Sequence, residues 1–352
     1  MKALPVLFFL ALLVMRFPAA AQNDETETPQ LCVSTWFYPS ADYPGAYDSV
    51  MDNTDLIDEV NPFWYNPLPD GSLQPTPEAE NADQLAAWRE AGLKIVPSIF
   101  SSNAAVIRDD LRETHVEAII DLVVSMDYDG IDIDYEGFPA DSREDFSLFA
   151  EALSEAMAEI DRELSITVHA KTYDPGPWEG AAAQDWERLS VVADVFRVMT
   201  YDYTSRNEPP GPIAPIPWVL DVLAYAESVV DMGKVRMGVH YYGYSWQRGT
   251  PPSITVTWSS IQNWVENLGV EILRDPESME AYMDFKAPGL PRQTIYIADA
   301  EGLAAKLDAV LADYPALGGV SIWGIGGEHP GMWDTLRAVT MGCGTNTPPG
   351  GA

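Results

Sequence analysis

Short apolar runs rich in β-branched residues recur along this chain, and helix-period segments fill the intervals between them. Eight runs read as strands: Leu31–Phe37, Leu56–Asn61, Leu93–Ile99, Gly130–Glu136, Leu164–Ala170, Val195–Asp202, Arg236–Tyr242 and Gly319–Trp323. Strand followed by helix, repeated eight times, predicts an α/β fold and a closed (β/α)8 TIM barrel rather than an open doubly wound sheet. The helices carry their own punctuation. One over Gln84–Ala91 should stop at Gly92, the residue that enters the left-handed region without strain. Another should begin near Asp141, with Glu144 reaching back in a capping box and Phe146, Phe149 and Leu153 forming one buried stripe.

The rhythm breaks between Tyr242 and Gly319. A helix-like piece at Ser260–Leu268 and two strand-like runs, Ala281–Phe285 and Gln293–Ile297, flank the turn pair Pro288-Gly289. This predicts a small insertion after the seventh strand, at about residues 250–300, within one barrel domain of residues 22–341. Before it, Lys2, the apolar run Leu4–Val14 and Ala19-Ala20-Ala21 form the pattern of a signal peptide over residues 1–21. Residues 342–352, with Pro348-Pro349-Gly350-Gly351, read as a flexible tail.

Composition narrows the possible partners. Fifty-four acidic residues against 20 basic ones give a net charge of −34, which repels nucleic acid and anionic lipid and suits a neutral ligand such as a sugar polymer. No run approaches the roughly 18 apolar residues of a membrane span, so an exported protein without membrane insertion is expected, secreted or periplasmic, and as a monomer. Two cysteines, Cys32 and Cys343, lie near the two ends of the exported chain. An even count in an oxidising compartment points to a disulfide, with two separate thiols as the alternative. The four histidines, His115, His169, His240 and His329, are scattered, and neither a metal cluster nor a cofactor site is expected.

The chemistry concentrates in Asp129-Gly130-Ile131-Asp132-Ile133-Asp134-Tyr135-Glu136. Strand alternation puts Asp132, Asp134 and Glu136 on one face and Ile131, Ile133 and Tyr135 on the other. In a barrel the apolar set packs under the helices, so the three carboxyl groups point inward, their Cα atoms spaced by about 6.6 Å. Three acids in a partly dry interior cannot all ionise, and a carboxyl that keeps its proton near neutral pH is a general acid. Glu136 stands at the C-terminal end of its strand, where barrels place reacting groups. Asp129 has the wrong parity and reads as structural.

Asp129-x-x-Asp132-x-Asp134-x-Glu136 resembles the DxxDxDxE signature of glycoside hydrolase family 18, the chitinases and their relatives. Met199-Thr200-Tyr201-Asp202 on the sixth strand, Tyr242-Gly243 after the seventh and Trp323 ending the eighth fit the family's pattern in order. Gly211–Trp218 and Gly326–Pro330 are similar to the bacterial branch of spore-cortex and peptidoglycan N-acetylglucosaminidases. The resemblance implies retaining, substrate-assisted cleavage of β-1,4 bonds in N-acetylglucosamine-containing polysaccharides or oligosaccharides, chitin-type or peptidoglycan. It implies Glu136 as acid and then base, Asp134 on the acetamido N–H, Asp132 tuning Asp134, and Tyr201 donating to the acetamido oxygen. Trp323 becomes the apolar floor, and Met199, Asp202 and Tyr242 become substrate-binding residues.

Some positions depart from that pattern. Ser98-Ile99-Phe100-Ser101 stands where many chitinases have S-x-G-G, and Tyr135 replaces a frequent Trp or Phe. Arg197 shares the parity of Met199 and Tyr201, so it is expected inside the barrel, paired with Asp132. Trp36, Phe37 and Tyr38 after the first strand, and Phe63, Trp64 and Tyr65 after the second, read either as sugar-stacking rings or as core. The competing readings are a lectin-like binding protein on the same barrel and an endoglycosidase acting on N-glycans. The intact Glu136 argues against the first.

Overall fold

The structure is a computed structural model that describes residues 30–287, 289, 291–340 and 342–343. The expected signal peptide, residues 1–21, and the tail beyond Cys343 lie outside the described residues. Eight parallel strands close into a barrel: β1 Cys32–Phe37, β2 Glu59–Pro67, β3 in two pieces (Lys94–Ile95 and Ser98–Ser101), β4 Gly130–Tyr135, β5 Glu163–His169, β6 Val195–Met199, β7 Val235–His240 and β8 Gly319–Trp323. Each pairs with the next, and β8 returns to β1 in the register Cys32–Gly319 to Thr35–Ile322. The (β/α)8 barrel read from the sequence is the fold.

The outward face of β4 shows why it holds its position. Ile131, Ile133 and Tyr135 are buried on that face, and Tyr135 packs against the buried Phe146 and Phe149 of the helix Arg143–Glu159. Each such side chain contributes about 1.5–3 kcal/mol through burial. Tyr135 stacks on Phe149 at 5.6 Å, and its hydroxyl meets His115 Nε2. Asp129, of opposite parity to the three inward acids, accepts the Ile95 N–H at 2.8 Å, a structural role as expected.

Several boundaries differ from the sequence reading, and the sixth strand stops at Met199 rather than Asp202. The helix expected to start at Asp141 starts at Arg143, after a 3-10 turn over Ala140–Ser142, and its N-cap Ser142 makes no side-chain cap. Glu144 instead accepts from Arg188 at 2.7 Å, so an ion pair with the helix Trp186–Val192 takes the carboxylate a capping box would have used. The second strand runs on to Pro67, which places Phe63, Trp64 and Tyr65 within it. The insertion is larger than expected and begins at Gly243. Its five-stranded antiparallel sheet has the order Ile254–Val256, Gly243–Gln247, Gln293–Ile297, Ala281–Phe285, Leu273–Arg274.

The helix Trp258–Leu268 covers that sheet, held by a Thr257–Ser260 capping box and ended by left-handed Gly269. Val256, Ile261, Met283, Ile295 and Ile297 form a small separate core between them. Glu280 ties the insertion to the barrel by accepting the N–H groups of Ile213 and Ala214 at 2.8 and 2.7 Å. A Cys32–Cys343 disulfide joins the start of β1 to the chain leaving the helix Met332–Val339, beside hydrogen bonds between Leu31 and Thr340. Among the described residues, no helix is long and apolar enough to cross a membrane.

Candidate active site

The lumen of the barrel is polar where barrels usually pack branched aliphatics. Asp132 is fully buried and accepts on both carboxylate oxygens. Ser165 donates to Oδ1 at 2.7 Å, Ser98 to Oδ2 at 2.7 Å and Trp36 Nε1 to Oδ2 at 3.2 Å, with Thr167 between the two oxygens at 3.0 and 3.2 Å. Arg197 points inward, as its parity requires, and its Nε lies 3.5 Å from Asp132 Oδ1.

One step up the strand, Asp134 is only 3% exposed, and its Oδ1 has no hydrogen-bond partner. Burial first, and then the neighbouring Glu136 and Asp132, hold its carboxyl well above the ordinary aspartate range. Glu136 follows at the strand end, its N–H anchored on Ser101 O at 2.9 Å. Burial, with Asp202 as the second cause, pushes its carboxyl up to about 7.

Gly137 turns the chain away at φ +65° and donates its N–H to His169 Nε2 at 3.2 Å. That bond needs a lone pair on Nε2, and burial lowers His169 to about 4, so its imidazole is neutral. The 3.8 Å approach of Glu136 to His169 is therefore not an ion pair.

The sixth strand delivers the other expected residues. Met199 ends it, and Tyr201 follows with its ring edge-on to Trp36 at 6.4 Å. Burial and the acids Asp134 and Glu136 push the Tyr201 hydroxyl well above its ordinary value, which keeps it a donor. Gly238 on β7 makes room for that ring: a Cβ there would lie 2.9 Å from Tyr201 Cε1. Asp202 sits in the left-handed region at φ +58° and accepts from the hydroxyls of Tyr242 at 2.5 Å and Tyr244 at 2.8 Å. Tyr242, expected to touch ligand, is buried behind Asp202 and outside the cleft lining.

Two half-clefts meet at these residues. One, of 510 Å³, runs over Trp36, Tyr38, Phe63, Tyr65, Phe100 and Trp323. The other, of 770 Å³, runs past His169, Trp178, Tyr203 and Trp218. Both are bordered by Glu136, Met199, Tyr201 and Asp202. Trp323 packs against Trp36, Tyr38 and Phe63 with ring centroids 5.3–6.3 Å apart, which makes a continuous aromatic floor.

Strand parity resolves the aromatic clusters. Trp36, Tyr38, Phe63 and Tyr65 face the cleft, whereas Phe37 and Trp64 pack on Trp88 in the core. Sequence reasoning missed the outer part of the second arm, His169, Trp178 and Tyr203. His169 was legible as a strand-end residue, while Trp178 lies in a loop whose path no local pattern gives.

The sequence model of Glycosyl hydrolases family 18 matches residues 39–328 of this chain. Over 286 residues the chain is 23% identical to a cortical fragment-lytic enzyme of Bacillus cereus, covering 78% of this chain and 66% of that protein. It is 23% identical over 230 residues to the uncharacterized glycosylase YvbX of Bacillus subtilis strain 168, covering 65% and 66%. Each alignment spans just under two thirds of the relative's length. The fold is shared with a chitinase from Chromobacterium violaceum ATCC 12472, at a TM-score of 0.80 and 21% identity over 87% of this chain and 98% of that one.

Proposed function

Because this chain belongs to glycosyl hydrolases family 18, we propose that it is a retaining glycosidase that cleaves β-1,4 bonds of N-acetylglucosamine-containing glycans by substrate-assisted catalysis. The observation that carries this reading is the pairing of Glu136, pushed up to about 7, with the buried Asp134, whose carboxyl is also raised, at the junction of two half-clefts. Glu136 then protonates the leaving glycosidic oxygen as the acetamido carbonyl oxygen of the sugar attacks the anomeric carbon. In the second step Glu136 takes a proton from the incoming water, which opens the oxazolinium-like intermediate with net retention. Asp134, whose Oδ1 lacks a partner, accepts the acetamido N–H and so orients the acetamido group for attack. Tyr201 donates to the acetamido oxygen, and the Trp323 floor carries the apolar face of that sugar.

Both arms of the groove bear aromatic rings, which supports binding of glycan on both sides of the cut and internal cleavage. Among the described residues, the two linings include Asp134, Glu136, Asp202 and Glu208 and neither lysine nor arginine. This favours a neutral, chitin-type chain over one carrying lactyl and peptide carboxylates. The relative named as cortical fragment-lytic supports peptidoglycan as the second reading. The Cys32–Cys343 disulfide supports an oxidising, exported location.

The test is mass-spectrometric product analysis after separate incubation with chitooligosaccharides and with peptidoglycan, alongside Glu136→Gln. Chitooligosaccharide cleavage lost at least about 100-fold in Glu136→Gln, with oligosaccharide binding retained, is the expected result. Cleavage of peptidoglycan alone would replace the substrate, and unchanged turnover by Glu136→Gln would remove the assignment.

A further inference from the structure

The stack of carboxyl groups rests on a buried cation. Arg197 leaves β6 and reaches across the lumen with no solvent exposure. Its Nε donates to Ser165 Oγ at 2.7 Å, one Nη meets Ser34 and Ser321, and the other pairs with Glu59 on β2. Four of the eight strands are thereby tied to one guanidinium from a fifth. A structural tie alone would not require any particular protonation state of the acids above it. The direction of the hydrogen bonds does.

An arginine can only donate. Ser165 therefore accepts from Arg197, and its own proton points at Asp132 Oδ1, 2.7 Å away. Trp36 Nε1 is also donor-only and reaches Asp132 Oδ2. Both oxygens of Asp132 thus face a donor whose orientation is fixed, and a guanidinium stands 3.5 Å from one of them. Asp134, one layer up, has a buried oxygen with no donor aimed at it. The surroundings favour charge on the lower acid and the proton on the upper one.

We propose that Arg197 is a positioning residue that locks the negative charge on Asp132 and so assigns the proton of the resting stack to Asp134. The inference deepens the glycosidase reading and rests on it for its catalytic meaning: a proton held at Asp134 keeps that group neutral beside Glu136 until the acetamido group arrives. The direction of the Asp134 perturbation, upward, agrees with a charged neighbour beneath it. The other charged or titratable groups facing the stack are Glu59 on β2, with Lys94 and Glu163 beyond it, Glu136 above, Tyr201 after β6 and Arg236 on β7. Glu59 is itself pushed up to about 7 by burial, with Arg197 opposing the rise. Removing the arginine alone would therefore strand a second buried acid.

The test reads protonation directly in the ligand-free full chain, by carbon-13 NMR of aspartate side-chain carboxyls between pH 4 and 8. Asp132→Asn and Asp134→Asn assign the two signals. In the unsubstituted protein the Asp132 signal should stay at the ionised position and the Asp134 signal at the protonated one, a preference of at least about tenfold. In Arg197→Met/Glu59→Gln, which deletes the pair without leaving a lone charge, both signals should move toward intermediate positions as the two acids divide the proton. Arg197→Lys should keep the original pattern. A protonated Asp132 in the unsubstituted protein overturns the inference whether or not the variants fold. Unmoved signals in a folded double variant overturn it too. No step of this test needs turnover, so a protein that cleaves no glycan yet shows the pattern refutes the function and spares the proton assignment.

Discussion

Replacing Asp202 by Asn isolates one electrostatic cause of the Glu136 perturbation. Both Asp202 hydrogen bonds are accepted by Oδ1, from Tyr242 and Tyr244, and an asparagine carbonyl can accept both. Asparagine also tolerates the left-handed backbone found there at φ +58°. The substitution therefore removes charge and little else. Moving Glu136 from 4.5 to about 7 favours its neutral form by about 3 kcal/mol.

Burial is the larger cause and Asp202 the smaller, so Asp202 accounts for at most about half, or roughly one pH unit. The sign follows from the role of Glu136. It must be protonated to act as the acid, so the rate falls as pH rises through its pKa. Asp202→Asn lowers that pKa and should move the alkaline limb of kcat/KM down. At pH 7 the protonated fraction should drop from about half to about a tenth, with little loss from this cause below pH 5. The assay is kcat/KM against pH on a soluble chitooligosaccharide, with circular dichroism to confirm the fold. An alkaline limb that stays in place or moves up would refute the assignment of Asp202 as the second cause.

Two further outcomes are expected. Trp178, 48% exposed and 4.5 Å from the His169 ring, should act as a stacking platform on the second arm. Trp178→Ala should raise KM for long oligosaccharides about fivefold while leaving short substrates nearly unchanged, and equal effects on both lengths would contradict that placement. The Cys32–Cys343 bond closes a separation of 311 residues, and the doubly serine-substituted protein should lose about 2–4 kcal/mol in urea unfolding. A loss under about 1 kcal/mol would mean that β1–β8 pairing alone fixes the seam.

What the sequence determined by itself was whatever depends on strand parity. Alternation along Gly130–Glu136 sends three acids to one side, and the same period sends Arg197 inward and Asp129 outward. Eight repeats of strand and helix leave few ways to bury eight apolar faces, so the barrel was legible too. Parity would also have separated Trp36 and Phe63 from Phe37 and Trp64, had it been applied to them.

Local patterns failed where a partner distant in sequence decided the outcome. Glu144 gave up its expected cap because Arg188, 44 positions away, offered a charged donor. Tyr242, expected at the ligand, is buried with its hydroxyl donating to Asp202, 40 positions away. The insertion grew to include Gly243–Gln247 because that strand found Gln293–Ile297 to pair with.

The protonation of the stack is the clearest case of tertiary decision. Sequence shows three acids in a row and one arginine of matching parity. Which acid carries charge depends on donors from four other strands converging within 3.5 Å of Asp132 and leaving Asp134 Oδ1 without a partner. Hydrogen bonds and burial act over a few ångströms in space, so only closure of the barrel could bring those groups together.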